Sequence, residues 1–141
     1  MRSAASHSDE RLLHFSLWFV QLLLAGSFAA LGLFKLLSHP DRLIETMSWT
    51  EAVPLWCLYV LGGLELVGAA LVSAPAVTRT PQRIVGYTAL GFLALMLAAM
   101  LVHMGRGEWR MLPVNLGIAA LAGLVAWGRL THQPLESERE L

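Results

Sequence analysis

Between Leu55 and Ala74 the chain carries a single charged side chain, Glu65, in an otherwise apolar run. About twenty such residues are the length a helix needs to cross the hydrocarbon layer of a bilayer. A carboxylate at that depth costs about 3 kcal/mol on insertion scales, so the run predicts a helix whose Glu65 faces protein or a wet cavity rather than lipid. Gly62, Ala69 and Val72 fall on the same helical face, which lets a neighbouring helix approach closely there. Such a glutamate has two readings: an acid, base or ligand anchor inside the membrane, or a paired side chain that locks two helices together.

Three further runs have similar length and character. The expected spans are about 12–37, 55–74, 84–104 and 111–128, and together they form one domain over 12–128. A short polar N-terminal tail (1–11) precedes it, and a polar C-terminal tail (129–141), acidic at Glu136, Glu138 and Glu140 and read as unstructured, follows. The first run is too long for a signal-peptide core and reads as a retained span. Of the 141 residues 56% are hydrophobic and only 14% charged, against about a quarter charged in ordinary soluble domains. The formal net charge of zero gives no basic surface for nucleic acid. Cys57 is the one cysteine, so an intrachain disulfide or dithiol redox chemistry is excluded, and its apolar setting suits a small buried hydrophobe.

Few polar groups interrupt the spans. In the first, Trp18, Gln21, Ala25, Phe28, Gly32 and Lys35 share one face, which should point into the bundle. Lys35 either snorkels to the headgroups or pairs with Glu65, and depth alone favours snorkelling. The segment Ser38 to Pro54 is the long polar interruption. His39-Pro40 breaks the first helix, Asp41 is placed to cap a short amphipathic helix with Leu43, Ile44 and Met47 on its apolar side, and Trp49 suits the membrane boundary. In the third span Ala89, Phe92, Met96, Ala99 and His103 share a face; in the fourth, Asn115, Ala119, Ala122 and Ala126 do.

Five histidines occur, yet none are spaced as metal ligands on one helix. Glu65 and His103 supply two donors where a catalytic metal usually takes three, so a metal would need His39 or Asp41 from the loop, and none is assigned. Haem, iron–sulfur and nucleotide-binding motifs are absent from the sequence. Arg2, Arg11, Arg79, Arg83, Arg129 and Arg139 lie on the side of the termini, against Lys35, Arg42, Arg106 and Arg110 on the other. The positive-inside rule then places both termini in the cytoplasm. The small-residue surface of Gly62, Gly68, Ala69, Ala119, Ala122 and Ala126 is ample enough to suggest a homodimer.

Gly32-Leu33-Phe34-Lys35-Leu36, the stretch Gly62 to Ala69 around Glu65, and His103 closing the third span resemble the DoxX-like family of small four-span membrane proteins. The resemblance runs from about Leu17 to Trp127. It implies an all-α, left-handed bundle of four membrane helices in a bacterial-type cytoplasmic membrane, and the four-helix plan is distantly similar to EXPERA-type membrane proteins. Lys35, Glu65 and His103 match the family's polar positions, with Asn115 a fourth. Related proteins include accessory subunits of quinone-linked oxidases, so one expectation is a pocket for a quinone or another isoprenoid beside a redox or stress-response partner. In that reading Glu65 and His103 carry any acid–base step, while Lys35, Trp18, Gln21, Phe92 and Asn115 hold the ligand. A second expectation is an acid–base enzyme (an isomerase, cyclase or hydrolase) working on an isoprenoid or membrane lipid. A third is a non-enzymatic assembly or cargo-binding protein using Ser38 to Pro54.

Overall fold

A computed structural model describes the backbone from residue 4 to 132 and side chains from Leu12 to Thr131. Among the described residues every regular element is a helix. Helix α1 (Ala4–Leu37) leads by a break at His39 into the short α2 (Pro40–Thr46) and a 3-10 turn, Ser48–Ala52. Helices α3 (Leu55–Ser73), α4 (Gln82–Gly105) and α5 (Leu112–Trp127) follow, and α5 runs on through a π turn, Gly128–His132. Four stretches are long and apolar enough to cross a membrane: Leu12–Leu37, Leu55–Ala76, Gln82–Gly105 and Trp109–Thr131. The expected spans lie inside these, and α1 extends eight residues upstream of Leu12, into what reads in sequence as a polar tail.

Prolines set the helix starts. Pro54 and Pro81 sit at the N-caps of α3 and α4, and Pro40 and Pro113 in the first turns of α2 and α5, where a missing N–H costs nothing. This corrects the assignment of Asp41 as a cap. His39 occupies that position without a side-chain bond, and Asp41 lies in the first turn, because proline claims the first helical place. At the far end of α4, Gly107 takes φ +72°, a left-handed conformation open to glycine at no steric cost. It turns the chain back so that the Glu108 N–H donates to the His103 carbonyl at 2.8 Å.

The four long helices close a ring in chain order, as two hairpins: α1 packs most extensively on α3, and α4 on α5, with sparser contact between the pairs. Gly32 and Gly62 bring α1 and α3 together backbone to backbone; a Cβ on Gly32 would stand 2.7 Å from the Gly62 carbonyl oxygen. The hairpins are joined by a core that includes Leu24, Phe28, Val72, Phe92 and Ala122. Phe28 stacks on Phe92 at 3.5 Å between centroids, and Phe92 in turn rests on the bare backbone of Gly68. All six small residues behind the homodimer expectation are buried inside this bundle.

Candidate functional site

The two hairpins meet closely at the end where α1 begins and α5 finishes. At the other end, beneath α2 and the α4–α5 turn, they stand apart around a cavity of about 730 Å³. Its wall is mostly apolar, including Leu31, Leu61, Leu95, Met96 and Ile118. Four of the seven residues singled out in the sequence line it together: Lys35, Glu65, His103 and Asn115.

Lys35 does not snorkel. It is 3% exposed, and its ammonium donates to both carboxylate oxygens of Glu65 at 2.8 Å. The cause is the Gly32–Gly62 approach, which lays the Lys35 stem against Gly62 one helical turn from Glu65. A buried charge pair in this geometry compensates two desolvation costs at once. Asn115 lines the cavity from α5, and its buried amide nitrogen has no hydrogen-bond partner in the protein. A buried donor left unmade costs about 1–3 kcal/mol, so this nitrogen is held at an energetic penalty in a residue that lines the cavity.

His103 is 7% exposed, and its Nδ1 lies 2.6 Å from Glu108 Oε2. Glu108 is a hub that sequence reasoning missed. Its other oxygen accepts from Arg106 Nε at 2.7 Å and from Ser48 Oγ at 2.7 Å, and Arg106 also donates to the Ser48 carbonyl at 3.2 Å. The bonds from Arg106, Ser48 and His103 hold the Glu108 carboxyl well below its usual 4.5, at about 2. It is therefore ionised near neutral pH and can only accept, which makes His103 Nδ1 the donor. The other ring nitrogen, Nε2, is left as the basic one in the neutral ring. The only hint in the sequence was a polar Gly-Arg-Gly-Glu turn directly after His103.

Ser48 belongs to the α1–α3 connection and Glu108 to the α4–α5 turn, so their bond ties one hairpin to the other over the cavity. Because the carboxyl pKa is depressed on folding, this tie is complete above about 4.5 and is lost as pH falls toward about 2. Hydrogen exchange of the amides from Gly105 to Met111 should stay flat from pH 8 to about 5 after correction for intrinsic rates, and accelerate only in stronger acid. Acceleration already near pH 6 would show that Glu108 does not hold the turn.

Three predicted residues do not line the cavity. Gln21 is fully buried at the other end, donating through Nε2 to the Val72 carbonyl at 2.6 Å and accepting from Arg129 Nε at 2.8 Å. Trp18 lies under the Arg129 guanidinium, 5.2 Å from the ring centroid, and Phe92 is in the core stack. Arg129, assigned to a polar tail by composition, is 2% exposed. Its spacing from Ala122 and Ala126 continues the inner face of α5, a signal the change in polarity obscured. The loop donors considered for a metal, His39 and Asp41, pair with each other at 3.2 Å on the surface, and no group of three metal-type side chains converges among the described residues.

A family model for the DoxX-like family matches residues 19–125. The chain belongs to the DoxX-like family. No curated protein and no solved structure matches it. In this DoxX-like protein the matched region takes in Lys35, Glu65, His103, Glu108 and Asn115, so the whole polar lining belongs to the family domain. Together, family and spans establish a multi-pass membrane protein.

Proposed function

We propose that the cavity holds a hydrophobic small molecule with a hydrogen-bond-accepting head, such as a quinone, and that the protein is an accessory subunit of a membrane redox or stress-response complex. The observation carrying this reading is the unpartnered amide nitrogen of Asn115, a residue lining a mostly apolar cavity together with Lys35, Glu65 and His103. A cavity of this size suits a drug-sized ligand. A carbonyl head fits the donor set, with the Asn115 amide and the Lys35 ammonium on the lining. We further place the protein in a bacterial-type cytoplasmic membrane with both termini cytoplasmic. With buried Lys35 and Arg129 set aside, Arg2, Arg11, Arg79, Arg83 and Arg139 still outnumber Arg42, Arg106 and Arg110. The cavity then belongs to the outer half.

One observation favours a second reading, an acid–base enzyme on an isoprenoid. Glu108 orients His103 as a carboxylate orients a general base, leaving Nε2 to exchange a proton. Turnover by the purified chain alone separates this reading from the first.

Asn115→Leu is the discriminating variant. Removing a donor that has no protein partner should leave thermal stability within about 1 kcal/mol of wild type. Loss of its bond to the head group should lower the ligand recovered by organic extraction and mass spectrometry about tenfold. Recovery of no hydrophobic molecule from the wild-type protein, or equal recovery from both, would overturn the reading.

A further inference from the structure

We infer that the cavity is entered sideways from the bilayer, through the gap between α3 and α4 past Ala98 and Val102, by a membrane-resident molecule whose tail is an isoprenoid or acyl chain. This inference rests on the proposed ligand role of the cavity and adds its route and the class of molecule that can use it.

The register of α4 carries the argument. Met96 and His103 face inward, whereas Ala99, Leu95, Val102 and Ala98 step progressively around one flank until Ala98 stands about 160° from Met96. All six line the cavity, yet Ala98 and Val102 are also exposed, Val102 by 48%. The cavity therefore runs out along the flank of α4 to its outer surface, within the membrane-spanning stretch Gln82–Gly105. That flank faces α3. Phe92 on the same side of α4 meets Gly68 of α3, and Leu61 and Glu65 line the cavity from α3, one to two turns nearer the loops. Above the Gly68–Phe92 contact the gap is bordered by the small side chain of Ala98.

The aqueous end is built differently. There two hydrogen bonds, Ser48 to Glu108 and Arg106 to the Ser48 carbonyl, tie the two connections together. Arg106 braces Glu108 within its own turn, and Trp49, Trp109 and Met47 are also on the lining. A water-borne ligand would have to break that ionic tie. One dissolved in lipid meets an apolar, small-residue flank, and its head can reach Asn115, Lys35 and His103 while its tail stays in hydrocarbon.

The test uses delipidated full-length protein reconstituted in phosphatidylcholine vesicles with a bilayer-dissolved aryl diazirine, photolysed and mapped by mass spectrometry. Wild type should carry label on the cavity residues Leu61 and Ala99 as well as on Leu101, which is 70% exposed. In Ala98→Trp, and separately in Val102→Trp, cavity labelling should fall about tenfold while Leu101 labelling persists, because an indole in the gap leaves no passage at protein packing density. Both positions are on the outer flank, so two independent variants guard against a folding defect, which loss of the Leu101 signal would reveal in either one. Val114 of α5 also lines the cavity and is 60% exposed, so Val114→Trp tests a competing opening on that helix and should leave the labelling of Leu61 and Ala99 unchanged. The inference is overturned by an unlabelled cavity in wild type, by undiminished labelling in both Trp variants, or by loss in Val114→Trp instead. Labelling requires no native ligand, so an extraction that recovers none would sink the ligand reading while leaving the lateral route standing.

Discussion

Glu65→Leu lowers the unfolding free energy in detergent by about 3–5 kcal/mol, because it leaves the Lys35 ammonium buried without its counter-charge. Lys35→Met costs a similar amount for the converse reason. The double variant, Lys35→Met with Glu65→Leu, recovers most of the loss, since two apolar side chains of similar volume carry no desolvation penalty. Denaturant or thermal titration of the four proteins completes the cycle. A Glu65→Leu cost near zero, or a double variant as unstable as the sum of the singles, would mean that the 2.8 Å contacts do not couple the helices. Glu65→Gln adds the functional arm. It keeps an acceptor for Lys35 but removes the charge, so a large stability loss with an unchanged extracted ligand would make the glutamate purely structural.

Gly32→Leu is the second large expected effect. Its Cβ would stand 2.7 Å from the Gly62 carbonyl oxygen and 3.0 Å from Leu66, and the nearer obstacle is helix backbone that cannot rotate away. Overpacking of this kind costs about 1–3 kcal/mol. Separating α1 from α3 also pulls Lys35 from Glu65, so the total should approach or exceed that of Glu65→Leu. Gly26→Leu is the control: a Cβ there meets nothing within 4 Å, and an exposed helical glycine replaced by leucine should be neutral or gain up to about 1 kcal/mol. Equal effects at the two glycines would remove the close approach as the reason Lys35 and Glu65 meet.

The number of spans and the inward turn of Glu65, Gln21 and His103 were legible in the residue order, whereas α1 begins upstream and the last helix ends downstream of the limits the polarity change marks. Span length follows from the hydrocarbon thickness, and helical periodicity assigns a face without knowledge of any neighbour. Grouping was different. Lys35, Glu65, His103 and Asn115 sit on four separate helices, and only the packing shows that they share a cavity while Gln21 and Trp18 serve the other end and Phe92 the core. Periodicity gives a residue its direction but not its height against a neighbouring helix; that height is set by where backbones touch, here at Gly32 and Gly62. The choice between snorkelling and pairing for Lys35 depended on that contact. Arg129 and Glu108 escaped for a related reason. Composition marks a charge as solvated, and burial of a charge becomes favourable only when distant segments supply its partners: Gln21 and Trp18 for Arg129, Ser48 for Glu108. The sequence determined the spans and the inward faces by itself; tertiary packing decided which polar groups meet, because their partners lie tens of residues away and are brought within reach by helix contacts alone.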